Sequence, residues 1–150
     1  MDPIKKNIQL ANQGKNPMLV ANLKGGYVVM GKTQFLPGYC LLVPKRPVKS
    51  LNSLSITARS QFLVDMSIVG DALLRLTASQ RINYEILGNT SNFLHAHIFP
   101  RYPSEPWVRL KLPVWLYSKD HWLNPKYWYH QSRNGKLKRQ LTDYLKKVQN

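Results

Sequence analysis

Two of the chain's four histidines, His95 and His97, stand two residues apart in Asn92-Phe93-Leu94-His95-Ala96-His97-Ile98-Phe99-Pro100-Arg101. Side chains alternate faces along a strand, so Phe93, His95, His97 and Phe99 share one face, while Leu94, Ala96 and Ile98 turn to the other and can pack against a helix. A neutral imidazole serves as base, nucleophile or metal ligand near neutral pH, which makes this pair a candidate reaction centre. Zinc is the weaker reading. No Cys, Asp or Glu nearby completes a tetrahedral set, and His121 and His130 lie far along the chain.

Periodicity and turn chemistry predict the elements that hold this strand. Arg81 to Leu87 alternates apolar and polar residues as a half-buried strand does, and Gly88 to Asn92 supplies a turn back, so the two strands are expected to pair antiparallel. From Ser55, a plausible N-cap, to about Ala78, the residues Phe62, Met66, Val69, Leu73 and Leu76 recur at intervals of three and four. This is the main helix, and its stripe reads as core packing. Upstream, Pro37-Gly38 opens an apolar strand, Tyr39 to Val43, that stops at Pro44-Lys45-Arg46-Pro47. Met18 to Ala21 and Tyr27 to Met30 form a hairpin about Gly25-Gly26. Residues 3–13 place Ile4, Ile8 and Ala11 at helical spacing, with Pro3 in the first turn and Gly14 as C-cap. The expected class is α+β, an antiparallel sheet against one long helix.

At 150 residues the chain fits one domain, 1–150, with a core at about 17–104 and an extension at about 105–150. The lone Cys40 excludes an internal disulfide and reads as a buried strand residue. Neither an apolar run of membrane length nor a secretory start is visible, so no membrane partner is expected and the expected compartment is the cytoplasm. The net charge of +15, from 22 Lys and Arg against 7 Asp and Glu, favours polyanions, a class that covers nucleoside polyphosphates, nucleic acid bound through the basic surface and anionic membrane surfaces equally, and charge alone separates none of these. The last fifty residues hold all four tryptophans, five of eight tyrosines and eleven of the 22 basic residues. Two readings stand for them. Aromatic rings could stack single-stranded bases while lysines follow phosphates; alternatively Trp107, Trp115 and their neighbours cover the core or a dimer interface, and Lys136 to Val148 is a solvated amphipathic helix.

Gly88-Asn89, followed six residues later by His95-Ala96-His97-Ile98-Phe99-Pro100-Arg101, resembles the histidine triad (HIT) nucleotide hydrolases and transferases, with a leaning to bacterial diadenosine polyphosphate hydrolase-like members. Phe35 to Pro44 with Pro47-Val48 and Leu51 resembles the first core strands and following loop of that fold. The resemblance spans roughly residues 17–104. It implies attack on an α-phosphate by a histidine nitrogen and a nucleotidyl-histidine intermediate. By the same resemblance His95 falls on the nucleophilic middle histidine and His97 on the last, phosphate-contacting one. Asn89 takes the place of a polar residue that hydrogen-bonds the phosphoryl group, and Asn83 lies near another polar position. Lys32, Lys45 and Arg101 are candidates to receive the polyphosphate. The family commonly forms homodimers, so a homodimer is expected.

Phe93 stands where many members carry the first histidine, which orients the middle one. A phenyl ring has neither donor nor acceptor, so a backbone carbonyl is the alternative holder of the His95 ring. A second register, with His95 first, His97 as nucleophile and Phe99 third, agrees less well with the Pro100-Arg101 ending and the spacing from Asn89. The expected activity is hydrolysis of a dinucleoside polyphosphate or nucleoside phosphoramidate through nucleotidyl-His95. No cofactor is required, and a divalent cation is a possible companion of a polyphosphate substrate. The rival expectation is a binding module that holds nucleotides or nucleic acid without turnover.

Overall fold

The computed structural model describes residues 1–149. Its first element, α1 (Pro3–Asn12), begins where the Asp2 carboxylate accepts the Ile4 N–H at 2.8 Å, an N-cap that satisfies a donor with no helical partner. It ends in a left-handed Gly14, φ +68°, with the Gly14 and Lys15 N–H groups bonded back to Ala11 and Leu10 carbonyls. The hairpin follows as β1 (Leu19–Leu23) and β2 (Gly26–Met30), then β3 (Cys40–Val43) and the long helix α2 (Ile56–Leu76), whose first turn is capped by the Ser55 hydroxyl. Strands β4 (Arg81–Glu85) and β5 (Ala96–Arg101) complete one antiparallel sheet in the order β1-β2-β3-β5-β4. The remainder is α3 (Trp107–Leu110), α4 (Asp120–Leu123) and α5 (Gln131–Gln149), joined by single 3-10 turns.

The α+β expectation holds, with α2 lying across the sheet. Val28, Cys40, Leu42, Ala96 and Ile98 point to it and pack with Phe62, Val69, Ala72 and Leu73. The terminal helix differs from its solvated reading. α5 starts five residues before Lys136 and seats Leu141 and Leu145, both fully buried, in that same core beside α2 and β1. Its lysines lie on the remaining surface because only one stripe of the helix is needed for the core.

The histidine strand also begins later than expected. Ladder pairing runs from Ala96, with Leu41 opposite His97 and Leu42 opposite Ala96. Residues 92–95 approach outside the ladder, where the Leu94 N–H bonds the Val48 carbonyl at 2.8 Å. His95 is therefore placed at the open end of the sheet, just before regular pairing starts.

Candidate functional site

The sheet face away from α2 is covered at two ends and open between them. At one end α1 sets Ile4, Ile8 and Ala11 on Tyr27 and Val43, with Phe93 against the same cluster. At the other end, Leu36 and Val114 close over Tyr39 and Phe99. His95 and His97 lie between, their ring centroids 4.8 Å apart and nearly perpendicular.

Each imidazole has one ring nitrogen fixed. His95 Nδ1 lies 2.7 Å from the Phe93 carbonyl oxygen, and His95 is only 7% exposed. A carbonyl only accepts, so Nδ1 carries the proton and Nε2 keeps its lone pair. The backbone of Phe93 thus supplies the orientation that its ring cannot. His97 Nδ1 lies 2.6 Å from the Tyr39 hydroxyl. Burial raises the Tyr39 pKa, and that phenol stays protonated. Donation from it to Nδ1 leaves the His97 proton on Nε2, making that atom a hydrogen-bond donor. Burial, and secondarily the neighbouring His95, lower the His97 pKa to about 4, so the ring is neutral at pH 7.

Tyr39 is held by packing on both sides. Its ring stacks on Phe99 at 4.1 Å, and it lies so close to Gly31 that a Cβ there would fall 2.2 Å from the ring. Gly31 is glycine because nothing larger fits beneath the phenol.

A cleft of about 610 Å³ opens from His97. Its walls include Trp115, Trp122, Trp128, Tyr129, Met18 and Lys32. Trp115 meets His97 edge-on at 5.0 Å, donates its indole N–H to Glu85, and stacks on Trp122 at 4.8 Å. Trp128 is brought in because the Gln34 and Tyr129 N–H groups bond the Tyr127 and Lys32 carbonyls, strapping the two segments together. Lys32 Nζ sits 3.9 Å from the centre of the Trp128 ring, a cation–π contact. Flat aromatic walls with a cation at one side and the His97 imidazole at the other suit a planar base joined to a phosphate.

The sequence-derived residues divide between this place and others. Lys32 lines the cleft with His97. Asn89 is exposed in the bend after Gly88 and does not line the cleft. Arg101 is corrected to a structural residue: at 5% exposure it binds Glu105, the Arg109 and Leu112 carbonyls and the Asn83 side chain, which uses all its reach inside the fold. Asn83 is corrected with it, its Oδ1 accepting from Arg101 at 2.8 Å. Lys45 lies over Tyr27, with Nζ 6.0 Å from the ring centre. Tyr39 carries no functional reading from sequence, and the cleft tryptophans are legible there only as part of an aromatic extension that stacks bases or covers the core or an interface. Alternation along β3 does put Tyr39 on the face of Leu41 and Val43, but only the β3–β5 pairing reveals that this is the histidine face. Among the described residues no group of three or more His, Cys, Asp or Glu gathers as a metal site, and no helix is long and apolar enough to cross a membrane.

The fold is similar to solved histidine triad proteins. One from Marinobacter aquaeolei is 21% identical with a TM-score of 0.72, covering 87% of this chain and 89% of that chain. Another from Bradyrhizobium japonicum is 23% identical with a TM-score of 0.71, covering 89% and 94%. A zinc-bound histidine triad family protein from Mycobacterium smegmatis is 16% identical with a TM-score of 0.61, covering 97% and 99%. Comparison with curated protein sequences finds no match. A family model described as the HIT domain matches residues 18–104, more than half of the sequence and the whole of the histidine strand, and the chain belongs to that family.

Proposed function

We propose that this chain hydrolyses a nucleotide substrate by attack of His95 Nε2 on the α-phosphorus. The observation that carries the reading is the 2.7 Å contact between His95 Nδ1 and the Phe93 carbonyl, which fixes the tautomer with a free lone pair on Nε2. Attack forms a P–N bond and breaks the bond to the leaving group, giving nucleotidyl-His95. Water then attacks the same phosphorus, releases the nucleoside monophosphate and returns the imidazole. His97, neutral with its proton on Nε2, donates to a phosphoryl oxygen as charge develops there. The tryptophan cleft takes the base, and Lys32 faces the phosphates from its wall. The substrate class is a dinucleoside polyphosphate or a nucleoside phosphoramidate.

The test is incubation with diadenosine tetraphosphate and with adenosine phosphoramidate, with released nucleotide followed by chromatography and the acid-quenched protein by intact mass. Wild type is expected to release AMP and to show a nucleotidyl adduct. His95→Gln is expected to lose turnover by a thousandfold or more, roughly the scale on which covalent nucleophiles contribute. Full turnover by His95→Gln, or no nucleotide released from either compound by wild type, defeats the reading.

A further inference from the structure

The helix α1 contributes one wall of the cleft. Pro3 and Asn7 lie four residues apart on one stripe of it, with Ile4 beside them, and all three border the space that opens from His97. Asn7 is half-buried there, and its amide is held in one orientation. The Pro3 carbonyl only accepts, so Asn7 Nδ2 faces it, at 3.1 Å, while Asn16 Nδ2 donates to Asn7 Oδ1 at 3.0 Å. Asn16 is itself 9% exposed and fixed in place, because its own Oδ1 accepts the Met18 N–H at 2.9 Å. An amide carries two N–H donors and two lone pairs, and the fold uses one of each on Asn7. One donor and one acceptor are left over.

The other polar side chains on the walls are spent or one-sided. Among the described residues lining the cleft, Thr33, Tyr39 and Tyr129 give their hydroxyl hydrogens to the His121 carbonyl, His97 and Gln131. The Trp115 and Trp128 indoles give theirs to Glu85 and the Trp122 carbonyl. Lys32, the Trp122 indole and His97, with its proton on Nε2, only donate. Asn7 is thus the one lining side chain that keeps a donor together with an acceptor, and it does so between apolar neighbours, Ile4 and Met18. Apolar flanks suit the faces of a base rather than the hydroxyls of a sugar.

We propose that Asn7 is the specificity-determining contact of the base site, selecting nucleotides whose base presents a hydrogen-bond donor beside an acceptor over those whose base presents acceptors only. Amino-bearing and oxo-bearing bases such as adenine and hypoxanthine meet that requirement. This rests on the reading above in which the cleft takes the base, and it does not depend on turnover. A base entering aromatic walls gives up its hydrogen bonds to water, and the oriented amide replaces them. An edge without a donor leaves Asn7 Oδ1 unanswered, so the poorer base is rejected rather than merely held less well.

The test is calorimetric binding of AMP, IMP and purine riboside 5′-monophosphate, whose base has no donor. The proteins are wild type, Asn7→Leu, and Gln9→Leu on the exposed side of α1 away from the cleft. Wild type and Gln9→Leu are expected to bind AMP and IMP about three- to tenfold more tightly than the purine nucleotide, the scale of one neutral hydrogen bond, and Asn7→Leu to bind all three alike. Each ratio is taken within one protein, so a general loss of folded material leaves it intact. Equal affinities in wild type, or a preference that survives Asn7→Leu, overturns the proposal and leaves the base site standing. If Asn7→Leu weakens AMP but not 2′,3′-dideoxy-AMP, Asn7 serves the sugar and the proposal falls. No binding of any nucleotide by wild type overturns it together with the base cleft. The stated preference in a wild type that cleaves neither diadenosine tetraphosphate nor adenosine phosphoramidate upholds the role of Asn7 and defeats the hydrolase reading instead.

Discussion

Tyr39→Phe removes a single oxygen from the buried pair that sets the His97 tautomer. The ring, its stacking on Phe99 and its fit over Gly31 stay as they are, so no cavity opens and almost no apolar burial changes. What is lost is the 2.6 Å bond to His97 Nδ1. An orphaned buried polar atom costs about 1–3 kcal/mol, and the half-buried His97 ring places the expected loss in unfolding free energy toward the lower half of that range. Turnover falls for a different reason. With no donor at Nδ1 the neutral ring can move its proton there, and Nε2 then turns a lone pair toward the phosphoryl oxygen. Losing one hydrogen bond that strengthens in the transition state costs about 1.4–2.8 kcal/mol, a tenfold to hundredfold drop in kcat with KM nearly unchanged. Urea titration measures the first quantity and steady-state nucleotide release the second, while nitrogen-15 shifts of the His97 ring report the tautomer directly. A variant destabilised as stated, but with wild-type kcat and the proton still on Nε2, refutes the assignment of Tyr39 as the group that orients His97.

Two further outcomes follow from buried charge. Arg101→Met leaves Glu105 without its cation at 5% exposure and is expected to cost about 3–5 kcal/mol in urea unfolding, with KM for nucleotide unchanged in the protein that remains folded; Arg101→Met/Glu105→Gln should recover part of that loss, and a raised KM without lost stability would return Arg101 to the substrate. Acidification also has a defined sign. His97 titrates near 4 in the fold and near 6.5 unfolded, so between those values the unfolded chain holds the extra proton, stability rises with pH, and falling from pH 6.5 to 4 removes at most about 3 kcal/mol. Urea midpoints across that window should fall less steeply in His97→Gln than in wild type, and parallel curves would remove His97 as the cause.

Local patterns carried much of the architecture into the sequence. Helix spacing and a serine cap located α2, Pro3 and Gly14 bounded α1 closely, and alternation put His95, His97 and Phe99 on one face. Long-range pairing was not legible. The β3–β5 neighbours are separated by α2 and β4, so nothing local announced that Tyr39 would reach His97. The tryptophans were visible as composition but not as a wall, because their placement depends on backbone bonds between residues 32–34 and 127–129, some ninety positions apart. Arg101 misled for the opposite reason. Its position at the end of the histidine strand suggested a phosphate contact, and only the folded segment beyond it supplies Glu105 and two carbonyls that claim every side of the guanidinium.

That assignment of Arg101 also explains how the site is built. Along β5 the face that carries the histidines continues through Phe99 to Arg101, and each position does a different job. Arg101 fixes residues 105–112 by side-chain and carbonyl bonds. The segment so anchored carries Val114 onto Phe99 and Trp115 over His97, where its indole is tied to Glu85 on the neighbouring strand. At the other end the same face departs from the ladder, and the freed backbone of Phe93 turns its carbonyl to His95. A strand paired through residue 93 would commit that carbonyl to its neighbour and leave the His95 ring without a holder. The absence of a histidine at position 93 is therefore met by where the ladder stops, and the cleft beside His97 by where Arg101 begins to bind.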